Sequence, residues 1–152
     1  MSLESVRAFF SENAPDIPVL VAERSSATVT LAAQAHGVAP EQIAKTICLR
    51  IGEETALLVA AGTARLSNRK FKDRFAAKPR MLDAEQVLAI TSHPVGGVCP
   101  FGLPSPVPVY CDVSLKSFEE VVPAAGATNA AVRIAPERMA KLVKGEWVDV
   151  CD

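Results

Sequence analysis

Two apolar, β-branched runs separated by three turn residues constrain the fold of this chain more than any other feature. The runs are residues 46–51 and 55–61, and Gly52-Glu53-Glu54 separates them. A connection this short joins antiparallel strands, so the two runs predict a β-hairpin. Helical patterns precede and follow it. The order of elements therefore predicts one α+β domain over residues 1–152, with a mixed, mostly antiparallel sheet or partial barrel surrounded by helices.

Capping residues mark where the helices should begin. Thr28 or Thr30, Ser67 and Asp83 each precede a stretch with helical spacing, and their side chains can accept hydrogen bonds from the first turn. A further turn of helix is expected over residues 40–44, which puts Lys45 at a helix-to-strand junction. Short apolar runs at 18–22, 107–111 and 130–134 predict additional strands.

The composition is that of a globular protein, with 49% hydrophobic residues and a net charge of −1. No apolar run approaches the eighteen or so residues of a membrane span. The opening residues carry Glu4, Glu12 and Asp16 instead of a basic and then apolar leader. These features predict a cytoplasmic protein with no membrane partner.

The small net charge hides a strongly basic segment. Residues 65–80 contain seven lysines and arginines against the single acid Asp73. A local basic patch on an otherwise acidic protein can hold a phosphate backbone. A solvated helix face would carry the same charges, and the sequence alone leaves both interpretations open.

Cysteines and histidines do not form a metal-binding pattern. The four cysteines lie at positions 48, 99, 111 and 151, without the spacing of a structural zinc site, and we expect free thiols. His36 and His93 each lie beside a turn residue, and we expect them to be surface or boundary residues. No metal and no cofactor is predicted.

The stretch Gly96-Gly97-Val98-Cys99-Pro100-Phe101-Gly102 contains three of the eight glycines in the chain. Adjacent glycines allow a ligand to approach the backbone closely, and Pro100 stiffens the far end. The amides of residues 96–99 could then converge on one point as an anion-binding or oxyanion site. A purely structural turn and a nucleophilic Cys99 are the alternatives.

Two further elements could contribute to a site. Lys45 precedes the first strand of the hairpin, where an ammonium group can hold a phosphate, although a solvated lysine at a strand start is common. Residues 124–129 combine small residues with Asn129, which can cap, turn or bind a ligand.

In this order, the three elements resemble the YbaK-like family, which includes the editing domain inserted in bacterial prolyl-tRNA synthetases. The matching segments are Ile43-Ala44-Lys45-Thr46-Ile47, the stretch from Gly96 to Gly102, and Ala125-Gly126-Ala127-Thr128-Asn129 followed by Val132-Arg133-Ile134-Ala135-Pro136. The resemblance extends from about Ser25 to Val150. It implies a free-standing editing domain, because no synthetase catalytic core is present.

The resemblance implies trans-editing, the hydrolysis of the ester that joins a wrong amino acid to the 3′-terminal adenosine of a tRNA. The loop from Gly96 to Pro100, which also contains Gly97, Val98 and Cys99, is expected to hold the aminoacyl group through its backbone amides. Lys45 is expected to position the terminal nucleotide, while a substrate hydroxyl helps to activate water. The expected partners are a mischarged tRNA, for which tRNA(Pro) is the leading candidate, and a synthetase. DNA is not an expected partner.

The remaining binding residues come from the resemblance and from the basic segment. The resemblance implies an amino-acid pocket, for which we expect Gly126, Thr128, Asn129, Thr28 and Phe101. The basic segment predicts tRNA contacts from Arg65, Arg69, Lys70, Lys72 and Arg74. A small pocket favours alanine, serine, cysteine or 2-aminobutyrate. A noncatalytic tRNA-binding or synthetase-binding module and a cysteine-dependent hydrolase remain as alternatives.

Overall fold

The predicted hairpin is the centre of a mixed sheet in the computed structural model, which describes residues 2–25 and 27–152. The five helices are α1 (Ser2–Asn13), α2 (Val29–His36), α3 (Asn68–Phe75), α4 (Ala84–Thr91) and α5 (Pro136–Leu142). The strands are β1 (Leu20–Val21), β2 (Ile43–Ile51), β3 (Glu54–Ala61), β4 (Arg80–Met81), β5 (Val109–Asp112), β6 (Val122–Pro123), β7 (Ala130–Ala131) and β8 (Glu146–Val148). Short 3₁₀ turns occupy Pro40–Gln42 and Val113–Ser117.

The main sheet has the order β4-β2-β3-β5-β8, with β6 also paired to β2. β2 pairs antiparallel with β3 and β4, while β3–β5, β5–β8 and β2–β6 are parallel. More of the paired residues are antiparallel than parallel, and the sheet stays open. The expected α+β domain with a mixed sheet and surrounding helices is confirmed.

A gap in this sheet lies along the outer edge of β2. β4 pairs with β2 only at Leu49 and Arg50, and β6 pairs with it only at Ile43 and Ala44. Residues 45–48 pair with β3 on one side and, among the described residues, with no strand on the other. Because alternate residues of a strand direct their N–H and C=O groups to the same side, two of these four residues present backbone groups to the gap.

Capping explains where the helices begin. The side chains of Thr28, Ser67 and Asp83 accept hydrogen bonds from Leu31, Lys70 and Gln86 respectively, as the sequence predicts. Gly37 ends α2 in the left-handed conformation with φ +67°, which favours glycine. None of the helices in the described part of the chain is long and apolar enough to span a bilayer.

Helix α1 packs against two glycine-containing loops, residues 96–102 and the loop at Gly126. Phe10 of α1 packs edge-on against Phe101, with ring centroids 4.7 Å apart. A Cβ atom on Gly102 would lie 2.7 Å from the carbonyl oxygen of Ser5, and one on Gly126 would lie 2.6 Å from that of Ser2. Both loops therefore pack directly against the backbone of α1, which fixes their position relative to the sheet.

Two details of the local structure differ from the sequence prediction. The turn before the hairpin is a 3₁₀ turn that ends at Gln42, so Lys45 is the third residue of β2 and not a residue at a helix-to-strand junction. Strands β4 and β6 have two residues each and were not predicted, because such short segments carry no periodic signal.

Candidate active site

A cleft of about 280 Å³ lies at the gap in the sheet. Residues 43–48 of β2 form one wall, and the start of α2, the loop at residues 95–98 and the ends of β6 and β7 form the others. Most of the lining side chains are small or aliphatic. The cleft is therefore narrow and apolar, with few polar groups to orient a ligand.

The cleft brings together four of the residues singled out from the sequence. Lys45, Gly96, Val98 and Thr28 all line it, although about fifty residues separate the lysine from the glycines. The hydroxyl of Thr28 accepts the amide hydrogen of Leu31 at 3.1 Å, so it caps α2 at the edge of the cleft. Lys45 and the glycine loop thus meet at one cleft.

The ammonium group of Lys45 binds two backbone carbonyls beyond the end of β3. Its Nζ donates to the oxygen of Ala64 at 2.5 Å and to that of Gly62 at 3.3 Å. Among the described residues no carboxylate forms an ion pair with it. Burial lowers the pKa of Lys45 from its ordinary value. The cation is thus fixed in place but not neutralised by an anion.

The glycine loop contributes two residues to the cleft whose backbone amides have no acceptor among the described residues. The amide of Gly97 donates to the carbonyl oxygen of Pro94 at 2.9 Å and closes a turn. The amides of Gly96 and Val98 have no hydrogen-bond acceptor among the described residues, and both residues line the cleft. Unpartnered donors at a cleft surface can bind an anion or a polarised carbonyl oxygen.

Close packing explains why two glycines occur here. A Cβ atom on Gly97 would lie 2.7 Å from the amide nitrogen of Ala127, and one on Gly96 would lie 2.8 Å from the Cβ of Ala27. Gly96 also has a φ of +92°, which only glycine adopts readily. The carbonyl oxygen of Gly97 accepts the amide of Gly126 at 3.0 Å, which joins the two loops.

Cys99 points away from the cleft. Its side chain is fully buried, and burial raises the pKa of its thiol to about 12. A nucleophilic cysteine needs a lowered pKa and an accessible sulfur. Pro100, which follows it, is buried as well. The geometry therefore disfavours the cysteine-dependent hydrolase, and Cys99 stabilises the loop through packing.

His93 is a core residue, contrary to the expectation of a surface or boundary position. It is fully buried, and its Nε2 lies 2.7 Å from the carbonyl oxygen of Phe101. Since a carbonyl only accepts, Nε2 carries the proton, and Nδ1 is left buried without a partner among the described residues. Burial lowers the pKa of His93. This contact joins the two ends of the glycine loop.

The other predicted pocket residues do not line the cleft. Phe101 is fully buried in the aromatic cluster under the loop, and Gly126 packs against α1. Asn129 donates from Nδ2 to the carbonyl oxygen of Ala22 at 3.0 Å, so its side chain ties the β1 segment to the second loop. Thr128 is exposed beside it. Alanines 124, 130 and 131 form this wall of the cleft instead.

The five predicted tRNA-binding cations fall into two groups. Lys70 donates to the carbonyl oxygen of Cys151 at 2.9 Å and pairs with Asp149 at 3.3 Å, and Arg74 pairs with Glu146. These two cations hold the C-terminal segment against α3. Arg65, Arg69 and Lys72 form the second group, and no ion pair is formed by them within the described residues.

Several lining residues of the cleft were not predicted as site residues from the sequence, and three of them matter for its chemistry. Thr46 lines it, and its hydroxyl is buried without a hydrogen-bond partner among the described residues. Met81 and Val95 line it as well, although 65% and 61% of their surfaces are exposed. Thr46 lies next to Lys45 in the segment that carries the family resemblance, which was the signal that could have identified it.

Comparison with known proteins agrees with this arrangement. Residues 23–142 match the aminoacyl-tRNA editing domain family. The uncharacterized protein YwhH of Bacillus subtilis (strain 168) is 44% identical over 153 residues, which is 99% of this chain and 98% of that protein. EbsC of Enterococcus faecalis (strain ATCC 700802 / V583), named as a candidate Cys-tRNA(Pro)/Cys-tRNA(Cys) deacylase, is 26% identical over 78% of this chain and 73% of its own length.

A solved structure supports the same assignment. The crystal structure of a candidate trans-editing enzyme for prolyl-tRNA synthetase matches with a TM-score of 0.91 and 27% sequence identity, over 99% of this chain and 97% of that one. The family match covers most of the chain and includes Lys45, the glycine loop and the Gly126 loop. The chain therefore belongs to the family of aminoacyl-tRNA editing domains.

Proposed function

We propose that this protein is a trans-editing deacylase that hydrolyses a small, wrongly attached amino acid from tRNA(Pro). The observation that carries the proposal is that Lys45 lines the same cleft as Gly96 and Val98, whose amides have no acceptor within the described part of the chain. The relatives support the substrate class, since one is named for Cys-tRNA(Pro) and another for prolyl-tRNA synthetase. Because the substrate is a tRNA, the reaction would take place in the cytoplasm.

The reaction requires only positioning and electrostatic stabilisation. The carbonyl oxygen of the ester accepts hydrogen bonds from the amides of Gly96 and Val98, which stabilise the negative charge that develops on it. A hydroxyl of the terminal ribose orients a water molecule, which attacks the carbonyl carbon. The bond between this carbon and the ribose oxygen then breaks, and that oxygen takes a proton. The products are a free amino acid and an intact tRNA.

The other residues of the site maintain this geometry. Gly97 closes a turn with Pro94 that constrains the backbone of its neighbours Gly96 and Val98, and the buried Cys99 and Pro100 anchor the end of the loop. Lys45 holds a phosphate of the terminal nucleotides, for which its ammonium would exchange one of its carbonyl partners. The cations of the second group, Arg65, Arg69 and Lys72, contact the tRNA backbone.

Small side chains limit which amino acids fit. Ala27, Ala32, Ala44, Ala124 and Ala131 are among the residues that line the cleft. A pocket of this kind admits alanine, serine, cysteine or 2-aminobutyrate and excludes larger side chains by steric overlap. Each additional methylene changes the discrimination by only about 1–3 kcal/mol, so several small amino acids are expected to be substrates to different degrees.

The test is a deacylation screen with tRNA(Pro) that carries each of these four amino acids. We expect the wild type to release free amino acid with multiple turnover, and Lys45→Ala to lower the rate about a hundredfold. Lys141→Ala removes an exposed lysine from α5 and provides the matched control. Circular dichroism on both variants separates a loss of chemistry from a loss of fold.

Two results would contradict the proposal. If the wild type binds every mischarged tRNA but releases no amino acid, the chain is a noncatalytic binding module. If Lys45→Ala is as active as the wild type, the role of Lys45 is wrong even though the chain is a deacylase.

A further inference from the structure

A buried acid at the end of β5 has no role in the proposed chemistry. Asp112 is 1% exposed, and among the described residues it is the only acidic residue that is fully buried. No ion pair is formed by it within the described part of the chain. Removal of a carboxylate from water costs free energy unless hydrogen bonds compensate. The groups that this carboxylate binds therefore indicate why an acid occupies the position.

Two backbone amides bind the carboxylate, one on each oxygen. Oδ2 of Asp112 accepts the amide hydrogen of Ser114 at 2.9 Å, and Oδ1 accepts that of Val150 at 2.8 Å. Hydrogen bonds to a charged acceptor are about twice as strong as those between neutral groups. Asp112 thus ties the 3₁₀ turn that follows β5 to the C-terminal segment, residues 149–152.

Ser114 extends the first of these contacts to the end of β3. Its hydroxyl accepts the amide hydrogen of Ala61, the last residue of β3, at 3.1 Å. Because the amide of Ser114 is bound to Asp112, the backbone that carries this hydroxyl is held in place. One chain of hydrogen bonds thus leads from the carboxylate to the residue that directly precedes Gly62.

The C-terminal segment extends the second contact to the other end of the same loop. The carbonyl oxygen of Val150 accepts the amide hydrogen of Ser67 at 2.8 Å, and the amide of Asp152 donates to the carbonyl oxygen of Arg65 at 2.8 Å. Between these two bonds the segments pair as an antiparallel bridge. Residues 65–67 are therefore held by a segment that the buried carboxylate anchors.

The loop between these two anchors, residues 62–64, holds the ammonium group of Lys45. The carbonyl oxygens of Gly62 and Ala64 accept hydrogen bonds from its Nζ. A Cβ atom on Gly62 would overlap the carbonyl oxygen of Pro40, so the loop is closely packed on that side as well. The two carbonyls are thus directed by a backbone that is fixed at both ends.

We propose that Asp112 and Ser114 are positioning residues for Lys45, which act through residues 61–67 and fix the carbonyls that orient its ammonium group. This inference rests on the proposed function, in which Lys45 holds a phosphate of the terminal nucleotides. A phosphate is bound more tightly when the ammonium group is in place before the substrate arrives. Neither Asp112 nor Ser114 lines the cleft, so both affect the reaction only through Lys45.

Substitution of Ser114 tests the link to Lys45 by its effect on deacylation. Ser114→Ala removes the hydroxyl that binds Ala61, whereas Ser114→Thr keeps it. We expect Ser114→Ala to lower kcat/KM about five- to tenfold and Ser114→Thr to restore most of the loss. In the Lys45→Ala background, Ser114→Ala should change kcat/KM by less than about twofold, because the group that it positions is gone. A merely structural role would lower kcat/KM equally in both backgrounds.

Ser117→Ala is the matched control for this variant. It removes an exposed serine hydroxyl from the same 3₁₀ turn, and we expect kcat/KM to stay at the wild-type value.

Asp112→Asn tests the other end of the network. The side-chain NH₂ that replaces one oxygen is a donor, so one of the two backbone amides loses its acceptor. We expect a lower Tm and a fall in kcat/KM at least as large as that of Ser114→Ala. Ser114→Ala decides the proposal if Asp112→Asn does not fold.

Exchange of the ammonium hydrogens of Lys45 gives a readout that does not need the reaction. Hydrogen bonds slow the exchange of such hydrogens with water, and NMR of the ¹⁵N-labelled protein detects the slowed signal. The signal that disappears in Lys45→Ala belongs to this residue. We expect a protected signal in the wild type and in Ser117→Ala, and exchange at least about threefold faster in Ser114→Ala.

The possible failures are distinguishable. Equal losses of kcat/KM from Ser114→Ala in the wild-type and Lys45→Ala backgrounds overturn the positioning role. Wild-type exchange of the Lys45 hydrogens in Ser114→Ala overturns it too, as does the absence of a protected Lys45 signal in the wild type. Failure of the proposed function appears elsewhere, as no release of amino acid from mischarged tRNA. The exchange measurement then still decides whether Asp112 and Ser114 position Lys45.

Discussion

Gly97→Ala should push the glycine loop, residues 96–102, away from the loop that contains Gly126 and Ala127. Gly97 does not have a positive φ, so alanine is tolerated by the backbone and only the added methyl group matters. That methyl would lie 2.7 Å from the amide nitrogen of Ala127 and 2.9 Å from the carbonyl carbon of Gly126. Both are backbone atoms, which cannot turn aside as a flexible side chain can.

The expected loss of stability follows from this distance. Ordinary contact begins near 3.4 Å, so the loops must move apart by about 0.7 Å. Overpacking of this kind costs about 1–3 kcal/mol. With a loss of roughly 2–4 °C per kcal/mol for a chain of this size, the Tm should fall by about 4–8 °C for a cost of about 2 kcal/mol. Because the amides of the loop move with it, deacylation should slow about a hundredfold.

Gly52→Ala is the matched control for this variant. Gly52 has a φ of +63°, and no atom lies within 4 Å of the position that an added Cβ would take. Alanine there adds backbone strain of about 1–2 kcal/mol without a clash. Its Tm should fall by a few degrees, about 2–8 °C, while deacylation stays at the wild-type rate. Thermal unfolding and initial rates of amino-acid release are the two assays. If Gly97→Ala kept both the Tm and the rate of the wild type, close packing of the loops would not control the site.

Three further predictions concern residues around the site. Cys99→Ala should keep most of the deacylation rate, because the thiol is buried and its pKa is raised to about 12; loss of the reaction in a folded variant would restore the cysteine mechanism. Because burial lowers the pKa of His93 in the fold, the unfolded chain binds more protons below pH of about 6.5, and stability should fall there by up to about 1.4 kcal/mol per pH unit. His93→Gln should flatten this dependence in thermal unfolding between pH of about 7 and about 5, and an unchanged slope would assign it to other groups. Lys72→Ala should weaken tRNA binding and lower its salt dependence without changing the Tm, whereas Lys70→Ala should lower the Tm by releasing the C-terminal segment; the reverse pattern in filter binding and unfolding would contradict this division of the cations.

Local signals made much of the fold predictable. The hairpin depends on a short turn between two apolar runs, and the caps Thr28, Ser67 and Asp83 depend on side chains that bond to the next helical turn. These interactions span only a few residues. Local signals could not place Lys45 and the glycine loop in one site, because about fifty residues separate them. Only the resemblance to a family predicted that they belong together.

The features that were missed depend on contacts between distant segments. The gap in the sheet exists because β4 and β6 are two residues long, and Pro123 in β6 argues against a strand when only the sequence is considered. The burial of His93 follows from packing beneath a loop eight residues away. Lys70 and Arg74 pair with acids more than seventy residues later in the chain, which no helical pattern indicates.

The unpaired edge of β2 has a consequence for how this site can change during evolution. Substitutions replace side chains but leave N–H and C=O groups where they are, so point mutations cannot easily remove donors and acceptors that belong to the main chain. The alanines and valines around the edge are free to vary in size. Substitutions would therefore alter the size of the cleft while the donors and acceptors of the strand edge persist.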